Sequence, residues 1–494
     1  MKRNHHRKQS HHRHHGKKKH SMTRSRNIAG KLVTLIQLAV SVVCIVLIWD
    51  SGLAPTKYLF PLIAVLLVLF AATHIMQYPR NKVLRYFGMI ISLLMTIILT
   101  MGSIALMKTD DVLKKVGGAT YKTDNMVVLV KKDDKAENIM DAQNYRFGYQ
   151  TVVDRDNTQK MIKDVTNVIG RDLKAETYES LTDEANALLN GNVDAAILNE
   201  GYMSLIDDTV ENFSDSVKIL YQYGIKTELK KKNTASVDQP FNVFISGIDV
   251  AGPITTNSRS DVNIIMTVNP QTRKILLTTT PRDYYVTIPD VSGEQRDKLT
   301  HAGIYGVDAS MATLENLYGI DISYYARVNF TSLVKIVDAL GGVDVNSDYE
   351  FTTLHGKYEI QKGMNHLNGD MALGFARERY SFEDGDNQRG KNQEIVLTAI
   401  IKKLCSPAIL KNANELVADV SDSVQTNMTS DEISKFINNQ IADPSAWNVE
   451  SQAVTGNGDS QNCFSSGNQL LYVMWPDDAI VKNASAKIKK MEAN

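Results

Sequence analysis

The chain has 494 residues, of which 43% are apolar and 22% are charged, and its 55 basic side chains balance 55 acidic ones. This composition is typical of folded proteins and excludes a disordered or collagen-like chain. Three cysteines are too few for a disulfide scaffold.

The first 31 residues form a basic head that contains 11 Lys or Arg residues, 7 of the 11 histidines and no acidic residue. Such a head fixes membrane orientation and contacts anionic lipid. A nucleic-acid-binding arm is the alternative. Because neither interleaved aromatic residues nor a recognition helix accompanies the charges, the sequence favours the lipid contact, and nucleic acid is not an expected partner.

Three apolar segments follow the head. Residues 32–49, 58–76 and 86–107 contain no Asp, Glu, Lys or Arg, and each is long enough to cross a bilayer core of about 30 Å as a helix. The basic head and the Arg80, Lys82 and Arg85 loop predict cytoplasmic positions for both. The sequence therefore predicts a multi-pass protein of the cell membrane, with residues 108–494 outside the cell.

The predicted outer part carries 40 basic and 54 acidic residues, so an anion site there must be built locally. Within it, residues 124–224 alternate strand-like runs with helical spacing, which predicts a small α/β accessory domain. This region shows no phosphate loop, nucleophile motif or metal-ligand spacing. Residues 226–239 are polar and are predicted to be a linker.

From Phe241 onward, β-rich runs bounded by turn residues precede helical patterns at residues 309–317, 330–340 and 393–404. This order predicts an α/β domain in which helices cover both faces of a central sheet. The predicted domain plan is thus a basic cytoplasmic tail (1–31), three transmembrane helices (32–107), an extracytoplasmic accessory α/β domain (108–235) and an α/β catalytic domain (236–494).

Arginines are concentrated in short polar motifs of the last domain. Only 11 arginines follow residue 107, and five of them stand in such motifs: Arg259, Arg282, Arg377, Arg379 and Arg389. One Arg beside one Asp is usually a surface ion pair of little energetic value. Five such arginines in an acidic domain indicate that the domain binds an anion. Guanidinium groups suit phosphate because they donate bidentate hydrogen bonds and keep their charge.

Three aspartates accompany these arginines: Asp249, Asp261 and Asp386. A helix cap or a turn explains each one separately. Together, beside arginines, they supply the oxygen ligands that Mg²⁺ prefers next to phosphate. The residues therefore predict a metal-assisted phosphate site.

The same residues carry a family resemblance. Seven runs between residues 241 and 404 match, in order, the motifs of the LytR-CpsA-Psr family, and they begin at Phe241, Arg259, Thr280, Lys298, Gly341, Leu367 and Phe375. The three apolar segments and the small unit after them resemble the streptococcal capsule-operon branch of that family, CpsA.

The resemblance implies an enzyme that transfers capsular polysaccharide or a related glycopolymer from an undecaprenyl pyrophosphate carrier to peptidoglycan, beside capsule-synthesis membrane proteins. Phe375 stands where the family commonly has Tyr, and Asn392 where it often has another Arg, with Lys391 as a substitute. The implied roles are catalysis by Asp249, Arg259 and Arg377, substrate binding by Arg282, Lys298, Arg379, Arg389 and Gln393, and Mg²⁺ binding by Asp261 and Asp386.

Two other functions remain open at this point. A membrane-bound transcriptional regulator or attenuator of capsule synthesis would use the basic head for transcription and the outer domain as a lipid sensor. A lipid pyrophosphatase would use the same phosphate site, with water in place of the acceptor hydroxyl. The sequence also leaves open whether Cys405 and Cys463 pair.

Overall fold

The computed structural model describes residues 28–52, 56–79, 81–116, 118, 121–228, 236–248, 254, 257–383, 385–404, 406, 423–466 and 469–493. The chain divides into two compact units. One comprises residues 1–46 and 57–103, and the other comprises Leu47–Thr56 and Ile104–Asn494. The basic head and Cys405 lie outside the described residues.

Three long apolar helices are present where the sequence predicted them, and each is long and apolar enough to cross a membrane. They are α1 (Ile28–Asp50), α2 (Thr56–Ile75) and α3 (Lys82–Val116). Polar side chains join α1 to α2 inside the first unit, where Thr73 donates to the Gln37 side chain at 3.0 Å. Both residues are buried. Hydrogen bonds of this kind hold helices together where lipid supplies no hydrophobic driving force between them.

The accessory sheet has five strands in the order β3-β2-β4-β1-β5. Strand β2 runs parallel to β3 and β4, whereas β1 runs antiparallel to β4 and β5. The strands are β1 (Tyr121–Lys131), β2 (Arg146–Gln150), β3 (Lys174–Tyr178), β4 (Ala195–Asn199) and β5 (Val217–Glu228).

Alternating apolar side chains of β1 give this sheet two hydrophobic faces. The helices are α4 (Arg155–Ile169), α5 (Leu181–Asn190), α6 (Met203–Asp207) and α7 (Phe213–Ser216), and Glu200–Tyr202 forms a 3₁₀ turn. Met126 and Val128 pack against helix α4 on one face. Val127 and Leu129 pack against helices α5, α6 and α7 on the other face. The small α/β unit predicted from the sequence is therefore present, but the predicted linker is wrong at its start, because residues 226–228 complete β5.

The central sheet has six strands in the order β16-β11-β6-β7-β8-β17. The pairs β6/β11 and β8/β17 are parallel, and the remaining neighbours are antiparallel. The strands are β6 (Phe241–Ile248), β7 (Ser260–Asn269), β8 (Lys274–Thr279), β11 (Tyr324–Asn329), β16 (Gln425–Thr426) and β17 (Asn448–Ala453).

Helices cover both faces of the central sheet, as predicted. Phe244 and Ile265 pack against α8, α9 and α14 on one face, whereas Val243 and Ile264 pack against α12 and α13 on the other. The helices are α8 (Leu299–Tyr305), α9 (Val307–Tyr318), α10 (Phe330–Ala339), α11 (Gly369–Arg377), α12 (Asp386–Leu404), α13 (Ser430–Ala442) and α14 (Asp478–Ala493).

The same domain also contains short two-stranded sheets in addition to the central sheet. Their pairs are β9 (Tyr285–Thr287) with β10 (Arg296–Lys298), β12 (Val343–Ser347) with β15 (Gly363–Leu367), β13 (Phe351–Thr352) with β14 (Glu359–Ile360), and β18 (Gly456–Asn462) with β19 (Leu470–Pro476). Phe464–Ser466 forms a second 3₁₀ turn between β18 and β19.

One edge of the central sheet collects the predicted site residues. Because β7 runs antiparallel to β6 and β8, the start of β7 lies beside the ends of those strands. Asp261 is at the start of β7, Arg282 follows β8, and Phe330 follows β11, which is parallel to β6. The strand order therefore explains how residues far apart in the sequence meet.

Candidate anion site at the edge of the central sheet

A cavity of about 710 Å³ opens between the central sheet and α10, α11 and α12. Most of its wall is aliphatic, with Ile264 and Val328 from the sheet, Leu333 from α10 and Ile400 from α12. Beside Asn329, His355 and Glu378, which also line the cavity, the predicted site residues on its wall form a polar group: Asp261, Arg282, Arg377, Arg379, Arg389 and Gln393. The cavity thus combines a large apolar volume with the predicted anion-binding residues, an arrangement that suits an amphipathic ligand.

Asp261 is the acidic member of this polar group, and its side chain is 17% exposed. One carboxylate oxygen lies 3.0 Å from Arg282 Nη1, and the other accepts a hydrogen bond from Thr300 at 3.0 Å. Burial opposes ionisation, but the charges of Arg282 and Arg389 and the Thr300 hydrogen bond hold the pKa of Asp261 below its usual value. Asp261 is therefore an anion at neutral pH.

Arg282 and Lys298 both form ion pairs with Asp283. Arg282 Nε lies 3.6 Å from Asp283 Oδ2, and Asp283 Oδ1 lies 2.5 Å from Lys298 Nζ. Lys298 was predicted to bind substrate, yet it is not among the described residues that line the cavity. Lys298 instead pairs with Asp283, whose negative charge it compensates.

Arg377 and Arg379 project from a turn that ends α11. Arg377 lies over the Phe330 ring, with its guanidinium carbon 4.1 Å from the ring centroid. The guanidinium of Arg379 lies 4.6 Å from the centroid of the Tyr380 ring. Stacking on a ring fixes a guanidinium plane while its N–H groups remain available at the edges.

The buried residue between these two arginines organises the turn. The carboxylate of Glu378 accepts hydrogen bonds from the backbone N–H groups of Leu354, Arg379, Tyr380 and Ser381, at 2.5 to 3.1 Å. Glu378 is part of the sequence motif, but the sequence prediction assigned roles only to the two charged arginines beside it. The sequence signal was only an acid flanked by two arginines, because the burial that gives Glu378 its structural role is seen in the folded chain alone.

Helix α12 contributes Arg389 and Gln393 to the cavity lining. Asn392, which replaces a common family arginine, is buried and donates to the Phe375 carbonyl at 3.1 Å. Phe375 is itself fully buried. These two departures from the family pattern therefore belong to the contact between α11 and α12.

Arg259 has a different environment from the other predicted arginines. Its Nη2 donates to the backbone carbonyl of Ser204 at 2.6 Å and also contacts the carboxylate of Asp208. Arg259 is not among the described residues that line the cavity. Its predicted catalytic role stays a prediction, and its observed partners belong to the segment that follows β4.

Two predicted acids are not fully described. Asp249 lies outside the described residues, and Asp386 begins α12 with a side chain that is also outside them. Among the described side chains, no group of three His, Cys, Asp or Glu residues could hold a metal ion. Asp261, ionised and on the cavity wall, fits the role of one oxygen ligand for Mg²⁺.

Glu394 is a second acid that the sequence did not indicate. It is buried beside the end of β8, where Thr279 donates to its carboxylate at 2.5 Å. Burial raises the pKa of Glu394 to about 7, although hydrogen bonds from Thr279 and Ser451 oppose the shift. It holds α12 against the sheet next to Gln393.

The chain is similar to a known protein family and to named transferases. The model of the LytR_cpsA_psr family matches residues 208–485. A teichoic acid transferase of Bacillus cereus, TagU, is 36% identical over 214 residues, which are 42% of this chain and 68% of that protein. The TagU of Enterococcus faecalis is 34% identical over 213 residues, 42% of this chain and 69% of that protein. Both are named polyisoprenyl-teichoic acid–peptidoglycan teichoic acid transferases.

Solved structures also match. A structure of TagT bound to LI-WTA is 27% identical with a TM-score of 0.43, and the match covers 53% of this chain and 94% of TagT. The crystal structure of Bacillus subtilis TagV is 23% identical with a TM-score of 0.45, and the match covers 52% of this chain and 98% of TagV.

Proposed function

The chain belongs to the LytR-CpsA-Psr family, and on that basis we propose that it transfers a glycopolymer from a polyprenyl pyrophosphate carrier to peptidoglycan. The relatives named above carry the corresponding activity in their names, with teichoic acid as the polymer. We propose undecaprenyl pyrophosphate as the carrier and capsular polysaccharide, as in the CpsA branch, as the polymer.

The observation that carries this proposal is the joint presence of an aliphatic cavity and a cluster of arginines on its wall. A polyprenyl chain is entirely apolar, whereas its pyrophosphate is a compact polyanion. The volume of about 710 Å³ is within the range of sites for sizeable ligands. The aliphatic wall suits the chain, and Arg282, Arg377 and Arg389 suit the pyrophosphate.

In the proposed reaction, a hydroxyl oxygen of peptidoglycan forms a bond to the phosphorus that carries the glycopolymer. The bridging P–O bond breaks, and undecaprenyl phosphate leaves with the bonding electron pair. A carboxylate, proposed as Asp249, takes the hydroxyl proton. The arginines neutralise the charge that develops on the leaving phosphate. The pyrophosphate bond supplies the free energy, so the transfer needs no nucleotide outside the cell.

We propose Mg²⁺ as the cofactor, with Asp261 and Asp386 as its protein ligands. When bound, Mg²⁺ would supply further positive charge beside the pyrophosphate oxygens. Arg379 and Gln393 would then hold the glycopolymer side of the donor, and Lys298 would support Arg282 through Asp283.

The three apolar helices suit an enzyme whose donor resides in the bilayer. We propose that the basic head is cytoplasmic, that residues 108–494 are outside the cell, and that membrane lipids and capsule-synthesis membrane proteins are neighbours of the chain. This arrangement keeps the catalytic domain next to its lipid-linked donor. The domain boundaries predicted from the sequence are part of the same proposal.

The regulator and the pyrophosphatase remain the alternatives. Three strains separate the regulator from the transferase: Asp249→Ala, Arg379→Ala, and a deletion of most of the basic head that keeps enough Lys and Arg to fix orientation. We expect both point variants to release glycopolymer from the wall into the medium while capsule transcript stays normal. Normal attachment in the point variants, with attachment lost in the head deletion, would overturn the transferase proposal.

A further inference from the structure

Arg259 is held by the segment that follows the accessory strand β4. Asp208 and the Ser204 carbonyl engage its Nη groups, and the Arg259 side chain is 13% exposed. The Nε of Arg259 is buried and has no hydrogen-bond partner among the described residues. This arginine was predicted for the catalytic site, yet its charge partner, Asp208, follows α6 of the accessory domain.

A second contact of the same kind lies two residues earlier. Asn257 is 1% exposed, and its amide donates to the carboxylate of Asp124, in β1, at 2.7 Å. From the central sheet, the buried Arg327 approaches the Asn257 amide oxygen at 3.4 Å. Asn257 therefore bridges the accessory sheet and the central sheet.

The backbone of residues 257–260 is packed tightly between two elements. A Cβ atom added to Gly201, in the 3₁₀ turn after β4, would lie 3.0 Å from the Asn257 carbonyl oxygen. A Cβ atom on Gly303, in α8, would lie 2.6 Å from the Ser258 carbonyl oxygen. Neither position accommodates a side chain without movement of the backbone, so both glycines are needed for this close approach to the run.

This run leads directly into Asp261 at the start of β7. Its backbone course determines where the Asp261 carboxylate meets Arg282 and Thr300. A displacement of about 1 Å in a catalytic group can cost about a hundredfold in rate. The contacts of the accessory sheet thus act on a segment whose position matters for the chemistry.

We propose that the accessory domain is a positioning element of the catalytic site, which holds the run 257–261 through Asp208, after α6, and Asp124, in β1. Asp208 is a positioning residue, because it acts through Arg259. The consequence for the reaction rests on the proposed function, whereas the effect on the run does not. Nothing in the accessory sheet itself needs to bind substrate for this role.

The test uses Asp208→Asn in the full-length protein in detergent. Hydrogen exchange by mass spectrometry should show faster exchange in the peptide that covers residues 257–262, by about tenfold. Farnesyl pyrophosphate, used as the probe, should bind more weakly, by about tenfold, because a displaced run moves Asp261 and with it Arg282 on the cavity wall. Asp208 is 32% exposed, so the variant should still fold.

Asp194→Asn is the matched control. Asp194 forms an ion pair with Arg146 of the same sheet at 2.9 Å and is 37% exposed. It should leave both measurements unchanged. Unchanged exchange in Asp208→Asn, or an equal change in the control, would overturn the proposal. If the wild-type protein does not bind the probe, the proposed function fails, and hydrogen exchange alone decides the positioning role.

A double-mutant cycle distinguishes positioning from a general loss of stability. Arg259→Lys should weaken probe binding by itself, and adding Asp208→Asn should weaken it little further, because both changes break the same pair. Independent, additive losses would show that Asp208 does not act through Arg259 and would contradict the assignment.

Discussion

Arg282 Nη1 lies 3.0 Å from Asp261 Oδ2 on the wall of a largely aliphatic cavity. The pair is close to neutral while the cavity holds no anion. A pyrophosphate that binds Arg282 must come near the Asp261 carboxylate, and two like charges in a partly buried site repel each other. An accompanying cation removes that cost, which is a physical reason to expect metal-dependent binding.

We therefore predict that Asp261→Asn abolishes the effect of Mg²⁺ on farnesyl pyrophosphate binding and reduces polymer transfer. Wild-type affinity should rise with added Mg²⁺, and the variant should respond weakly or not at all. Asp344→Asn, which removes an exposed carboxylate of β12, should behave like the wild type. Equal Mg²⁺ titrations for wild type and Asp261→Asn would remove Asp261 from the metal site.

Arg377→Lys should weaken binding of the same probe by about 1.5 to 3 kcal/mol, although the charge is kept. Lysine can neither reproduce the bidentate donor geometry nor stack as a plane on Phe330. Arg273→Lys is the matched control, since Arg273 stacks on Trp447 at 4.8 Å. Calorimetry measures both. Wild-type affinity in Arg377→Lys would assign Arg377 a purely structural role.

Glu378→Gln should lower the free energy of unfolding by about 1 to 3 kcal/mol and weaken probe binding. Only one oxygen of the new amide can accept, so the hydrogen bond from Leu354 or those within the turn must be lost. Urea denaturation gives the first quantity, and calorimetry gives the second. The exposed Glu383→Gln serves as the control. If Glu378→Gln alters stability but not affinity, the turn does not position the arginines.

Stability should fall with rising pH through the titration of Glu394. Its folded-state pKa of about 7 lies above the usual 4.5, so the folded protein keeps a proton that the unfolded chain has lost. Stability from this group is therefore complete below pH 4.5 and is lost as the pH rises towards 7. At pH 8 the free energy of unfolding of Glu394→Gln should exceed that of the wild type by up to about 3 kcal/mol. Below pH 4.5 the two proteins should be equally stable.

Thermal denaturation at pH 5 and pH 8 checks this prediction. The glutamine oxygen can still accept from Thr279, so the substitution preserves the observed hydrogen bond. A stability difference between variant and wild type that is the same at both pH values would show that Glu394 does not titrate in this range.

The sequence predicted the apolar helices and the two-faced central sheet because both depend on local periodicity. It predicted a helix at residues 393–404, whereas α12 begins at Asp386. The first turns of α12 are polar and contain Gly390, so no apolar repeat marks them. The family motifs and charge clustering identified the arginines of the cavity wall, which local periodicity could not do.

Contacts between distant segments were beyond the sequence argument. Asp208 and Arg259 are 51 residues apart, and no spacing rule connects them. The sequence did not predict a role for Glu378 or Glu394. The role of each depends on its burial, and that burial follows from the packing of α11 and α12. Lys298 was assigned to substrate by resemblance, while its ion pair with Asp283 depends on the pairing of β10 with β9, where Lys298 lies opposite Tyr285.

The central claim is transfer itself, and a radiolabelled assay tests it most directly. Purified full-length protein in detergent receives lipid-linked polymer labelled in its sugar, with and without peptidoglycan as the acceptor. We predict that label enters peptidoglycan, that undecaprenyl phosphate appears in equal amount, and that Arg282→Ala abolishes both. Release of labelled polymer phosphate at the same rate without peptidoglycan would show hydrolysis instead and contradict the transferase account.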